Sequence, residues 1–210
     1  MNQRTLLKAV KSYREEGVSD RVQGARLPVA PSYLADRSNV SITDFVSRQQ
    51  QLNVRRAMMK AVTDYNGGSL QDRLEEMHVW SRLVRDYGDE KIFFVNCANY
   101  RKSGPRIDHV GVKTEGEARP WPCEVIAYFG EESTKPLVLV RDFEYVKRRE
   151  DCRGGMDAAE VRKHPATKAS AYSVIEVDMI TGHAHLVPKF TGEEAATRGN
   201  TFYYDDIVVY

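Results

Sequence analysis

Pro122-Cys123-Glu124-Val125-Ile126-Ala127-Tyr128-Phe129 and, after a short polar gap, Leu137-Val138-Leu139-Val140-Arg141-Asp142-Phe143-Glu144-Tyr145-Val146 decide the fold. Both runs are dense in β-branched and aromatic side chains, which suit a pleated, half-buried surface, and the first stops at Gly130. Further runs of this kind surround them. Lys91-Ile92-Phe93-Phe94-Val95-Asn96-Cys97 and His109-Val110-Gly111-Val112-Lys113 come before, and Tyr172 to Ile180, His185-Leu186-Val187, Phe202-Tyr203-Tyr204 and Ile207 to Tyr210 come after. Successive strands without helices between them pair as an antiparallel meander or small barrel, not as a parallel nucleotide-binding sheet.

Before residue 90 the spacing is helical. Leu6, Leu7, Val10 and Tyr13 recur at three- and four-residue steps up to Gly17. Residues 24–33 hold two prolines, which remove backbone donors and disfavour the α conformation before them, so this stretch reads as a connector. Ser41 or Thr43 can cap a second helix, with Asp44 in its first turn, where a carboxylate suits the free N–H groups. Phe45, Leu52, Met58, Met59, Val62 and Tyr65 form its apolar stripe until Asn66-Gly67-Gly68. Ser69 opens a third, along Leu70, Leu74, Met77, Trp80, Val84 and Tyr87, and Gly88 supplies its stop. The resulting expectation is an α+β protein. A helical extension over residues 1–90 packs, through Trp80, Leu83, Val84 and Tyr87, on an antiparallel β-barrel domain over 91–210. The polar stretches 147–171 and 191–200 read as long loops.

Composition narrows the function classes. Of the 210 residues, 41% are hydrophobic and 29% charged, which excludes wholesale disorder. No apolar run approaches the roughly 20 residues that cross a bilayer, and the first residues lead into no apolar secretion core, so the expected location is intracellular, with no membrane partner. Net charge is +1; residues 1–100 carry 15 basic and 12 acidic side chains, and the remainder 16 and 18. Neither half is the strongly basic body expected where phosphate neutralisation dominates binding. Cys97, Cys123 and Cys152 contain no C-x-x-C pair, so they signal neither a disulfide framework nor a thiolate zinc site. No cofactor is implied.

The candidate chemistry is sparse. His183-Ala184-His185 places two imidazoles on one face of a strand, where both can meet one metal ion. A third ligand would come from Asp205, Asp206, His109 or Glu193. Cys123 has no neighbouring cation or helix start to lower its pKa and reads as a core residue. Neither a nucleophile elbow nor a phosphate-cradling glycine loop with its lysine is present. Lys147, Arg148, Arg149 and Arg153 form a basic cluster suited to an anionic partner, interrupted by Glu150 and Asp151. Aromatics near strand ends, Tyr128, Phe143, Tyr145 and Tyr204 above all, are the candidate ligand-binding residues, because clustered rings hold an ammonium through cation–π attraction.

The strand succession over residues 105–210 resembles the bromo-adjacent homology (BAH) domain, a small β-barrel that acts in chromatin. The resemblance lies in His109 to Lys113 as entry strand, Cys123 to Phe129, Leu137 to Phe143, the pair Val174 to Val177 and Gly182 to Val187, and Thr201 to Tyr204 as the last strand. Where methyl-lysine-reading members place a cage tryptophan this chain has Asp142, and the next cage position falls on Glu144; Tyr128 and Tyr145 are the nearest aromatics. The whole chain is also similar to the C-terminal module of Kyakuja–Dileera–Zisupton-type eukaryotic transposon proteins, with Ile92-Phe93-Phe94-Val95 leading into Asp108-His109-Val110, but with no transposase carboxylate triad. These resemblances imply a nuclear, non-enzymatic module whose partner is a protein segment in chromatin, such as a histone tail or nucleosome, or in a transposon-derived complex. Two alternatives stay open: a metal-binding barrel enzyme using His183 and His185, and nucleic-acid binding through the 147–153 loop.

Overall fold

The computed structural model describes residues 32–68, 70–86, 91–97, 106–115, 120–131, 135–147, 159–188 and 201–205. The described residues all belong to the larger of the two units into which the chain divides, residues 31–210. The helix expected around Leu6 to Tyr13 lies outside the described residues.

The larger unit is mostly antiparallel β-sheet with two helices. Its strands are β1 (Ser32–Ser41), β2 (His78–Asp86), β3 (Lys91–Cys97), β4 (Arg106–Ile107), β5 (His109–Val112), β6 (Trp121–Gly130), β7 (Leu137–Lys147), β8 (Ala159–Lys163), β9 (Tyr172–Glu176), β10 (Ile180–His183), β11 (His185–Pro188) and β12 (Thr201–Asp205). The two decisive runs pair as read, Cys123 opposite Asp142 through Phe129 opposite Leu137, with a bulge between Val125 and Ala127.

The sheet is not the closed barrel that was expected. Its ladders follow an open path, β11-β12-β8-β7-β6-β2-β3-β4, with β1 added on β2, β9 on β7, and β5 joining β6 to β10. β2, β6 and β7 each divide one edge between two partners. On one side of β7, residues 137–141 pair with β9 and 143–147 with β8, so the sheet branches there. The ribbon from Ile180 to Pro188 also changes partner, lying on β5 before Ala184 and on β12 after it.

The region before residue 90 departs furthest from its helical reading. Ser32–Ser41 is a strand, and so is His78–Asp86, where a third helix was expected. Trp80 and Val84 fit helical spacing. Yet Leu83, Val84 and Arg85 are consecutive buried residues, as befits a strand covered on both faces, and β2 lies between β1 on one edge and β6 and β3 on the other. The second helix exists as two pieces, α1 (Ile42–Ser47) and α2 (Leu52–Asp64). Ser41 caps α1 by accepting from the Asp44 amide at 3.1 Å, as the sequence predicts. Val54, Ala57, Met58 and Val62 form the buried stripe of α2, while Leu52 points to solvent. After α2 the chain turns at Gly68, whose φ of +88° is costly for any residue with a Cβ. The stretch 147–171 is not one loop either: Ala159–Lys163 forms β8, and Val161 and Ala159 are buried against β12.

Three apolar clusters hold the unit together. The helices pack Ile42, Val46, Met58 and Val62 on Ala127, Phe129, Leu137 and Leu139. The other face of β6 and β7 buries Val125, Tyr128, Val138 and Val140 with Leu83, Phe94 and Val110. A third cluster, Phe143, Val161 and Tyr204 with Tyr145, Leu186 and Phe202 around it, closes the far end of the helix-bearing face.

Candidate functional site

Between the helix layer and the third cluster, the same sheet face carries charge. His109 stands opposite Glu124, Glu124 opposite Arg141, and Arg141 opposite Tyr172. Directly opposed residues in antiparallel ladders share a face, so these four side chains form one row across β5, β6, β7 and β9. Two residues along β7, on one side, Leu139 lies under the helices; on the other, Phe143 enters the third cluster. Lys163, opposite Phe143 on β8, leans back over the row.

The row is bonded tightly. The Lys163 ammonium donates to Glu124 Oε1 at 2.7 Å, and Arg141 Nη1 lies 3.7 Å from Glu124 Oε2. Arg141 Nε also donates to the His164 carbonyl at 2.9 Å, tying the segment after β8 to the sheet. The side chains of Glu124, Arg141 and Lys163 retain only 12%, 18% and 17% of their exposure, so these charges interact largely out of water. Burial raises the Tyr172 phenol above its usual range, while Arg141 opposes the shift. Outside the row, Glu144 accepts from Arg162 Nε at 2.7 Å, which holds its carboxyl below the usual range, and lies 3.5 Å from His164 Nδ1.

His109 sits between the charged row and the aromatic cluster. Its ring meets Phe143 edge-on at 5.7 Å and lies 6.3 Å from Phe202. Lys163 Nζ is 5.9 Å from the Phe143 ring centre and 5.7 Å from that of Phe202. His109 Nε2 is buried without a hydrogen-bond partner among the described residues. Desolvation, and then the Lys163 charge, hold the imidazole below its ordinary pKa against the pull of Glu124 and Asp108.

Of the aromatics singled out in the sequence, the structure brings together Phe143, Tyr145 and Tyr204 and leaves Tyr128 in the cluster behind the sheet. Phe143, Tyr204 and Tyr128 are buried, and the Tyr204 hydroxyl donates to the Pro120 carbonyl at 3.1 Å. Tyr145 is half-buried and meets the half-buried Trp121 edge-on at 4.9 Å; Trp121 in turn donates its Nε1 hydrogen to the Phe143 carbonyl at 2.8 Å. Asp142 faces away from the row, accepting from Cys123 Sγ at 3.4 Å and Ser173 Oγ at 3.2 Å. Desolvation raises its carboxyl pKa, and burial pushes the Cys123 thiol well up.

The two histidines of the metal reading part ways. His183 stacks on Phe94 with ring centres 4.5 Å apart, whereas His185 is exposed. Among the described residues no three His, Cys, Asp or Glu side chains gather as ligands. Glu193 and Asp206 lie outside the described residues, as do Arg148, Arg149 and Arg153; Lys147 ends β7. No helix among the described residues is long and apolar enough to cross a membrane.

Sequence reasoning missed the charged row itself. Glu124 and Arg141 each interrupt an apolar run at a position that should face a core, and that was the available signal. Comparison with protein-family models, with curated proteins and with solved structures gives no match. The functional reading therefore rests on the chemistry of the row and the aromatics beside it.

Proposed function

We propose that the chain is a non-catalytic, BAH-like interaction module that binds a protein segment on chromatin, a histone tail or nucleosome, or in a transposon-derived complex, and that it acts in the nucleus. The observation that carries this reading is the Trp121–Tyr145 pair. Two large aromatics meet edge-on, each keeps part of its surface in solvent, and Trp121 is anchored by its hydrogen bond to Phe143. Rigid, half-exposed aromatics are the residues that dominate protein recognition. The succession β5, β6, β7, β8, β12 and the β10–β11 ribbon, all antiparallel, supports the BAH-like part of the proposal. The basic sequence that follows Tyr145, Lys147-Arg148-Arg149, suits a partner with acidic surface.

The test is equilibrium binding of the full chain to histone-tail peptides and to reconstituted nucleosomes. The expected result is saturable association that Trp121→Ala and Tyr145→Ala each weaken at least about tenfold, the range of an interface hot spot. Absence of association at tens of micromolar protein, or binding indifferent to both substitutions, overturns the proposal.

A further inference from the structure

The charge balance of the row is uneven. Among the described residues Glu124 is the carboxylate that both cations, Lys163 and Arg141, reach, all three side chains are mostly buried, and Asp108 acts on His109. Asp142 lies on the opposite face, occupied with Cys123 and Ser173, and Glu144 is paired with Arg162 and His164. His109, the fourth polar group here, presents a buried Nε2 that no donor or acceptor among the described residues meets. A surplus positive charge held out of water is costly unless an anion completes it, and a buried ring nitrogen without a partner is costly for the same reason.

We propose that Lys163, Arg141 and His109, clustered beside the Phe143 ring, bind a single oxyanion, a carboxylate or phosphate group. Lys163 and Arg141 supply charge-assisted donors, and Arg141 is already oriented by Glu124 and by the His164 carbonyl. His109 supplies a further donor once the anion offsets the Lys163 charge that now opposes its protonation. The Lys163 ammonium lies over the Phe143 and Phe202 rings, 5.9 and 5.7 Å from their centres, which holds it beside His109. The site goes beyond the proposed protein partner and stands without it.

The experiment uses the whole chain, with inorganic phosphate and with acetate as probes at constant ionic strength. The His109 ring resonances, assigned through His109→Gln, are followed by nuclear magnetic resonance during each titration. The expected result is a saturable shift with phosphate, accompanied by a rise in the His109 titration midpoint. The groups facing this ring are Lys163, Glu124 and Asp108, and of these only Lys163 opposes its charge. Lys163→Arg preserves the response. Lys163→Met and Arg141→Met, each checked for native circular dichroism, weaken it at least about tenfold, as loss of one charge-assisted partner requires. A response to both probes assigns a general oxyanion site and a response to phosphate alone a phosphate site; either supports the inference. No saturable shift with either probe in the wild-type chain overturns it, as does a response that survives Lys163→Met unchanged.

Discussion

Lys163 and Glu124, on strands that do not adjoin, are joined by a 2.7 Å ion pair that spans β7 on the helix-bearing face. Arg141, the residue between them on that strand, reaches the other carboxylate oxygen. Removing one member of a mostly buried pair strands the other. Glu124→Gln is therefore expected to cost about 2–4 kcal/mol, and Lys163→Met somewhat less because Glu124 keeps Arg141. The double variant should lose less than the sum by at least about 1 kcal/mol. Urea unfolding of the four proteins measures the cycle, and strict additivity would show that the pair contributes nothing.

His109 makes stability depend on pH in a defined direction. Its folded pKa lies below the ordinary value, so below about pH 6.5 the unfolded chain takes up the proton more readily than the folded one. The contribution is fully present above that pH and is lost as pH falls toward the folded pKa. His109→Gln should flatten this limb of the Tm-against-pH curve. An unchanged limb would assign it to other groups.

The Tyr128 hydroxyl is buried, has no hydrogen-bond partner among the described residues, and is kept by burial far from ionising. Tyr128→Phe removes a desolvated polar atom without removing ring volume. The expected outcome is unchanged or higher stability, by roughly 1 kcal/mol, with unchanged binding at the Trp121–Tyr145 surface. Destabilisation by more than that amount in chemical unfolding would mean that the hydroxyl is satisfied in solution.

Gly111 on β5 stands opposite Gly182 on β10. A Cβ there would stand 2.9 Å from Thr181 Oγ1 and 3.0 Å from Pro120 Cβ, and Thr181 Oγ1 already donates to the Gly111 carbonyl at 3.0 Å. Gly111→Ala should cost about 1–3 kcal/mol and speed amide exchange in β10 before other strands. Exchange in β10 equal to wild type would refute the contact.

The legible part of the fold was the part in which local pattern and final environment agree. β6 is largely apolar and buried along most of its length, and the apolar start of β7, Leu137 to Val140, is buried on both faces. The cap at Ser41 is a contact three residues long. β2 was misread because Trp80, Val84 and their neighbours satisfy a helical period by coincidence, and only pairing with β1, β3 and β6 decides in favour of a strand. The aromatic positions were visible as residue types, yet which rings converge depends on β8 and β12 aligning Val161 with Tyr145 and with Phe202. The charged row was hidden for the same reason. His109, Glu124, Arg141 and Tyr172 are far apart in the chain and meet only through three registers, any of which, slipped by one residue, would turn its side chain to the opposite face.

The ribbon from Ile180 to Pro188 is a seam. Its first stitches lie on β5 and its last on β12, with Ala184 anchored between them by its amide bond to the His109 carbonyl at 2.9 Å. A cut near Ala184 would leave both flanks unsewn together, baring the inner edge of β5 and of β12 in a single event. Proteolytic nicking or circular permutation at that point should thus loosen His109 on β5 and the aromatic cluster beside β12 at once.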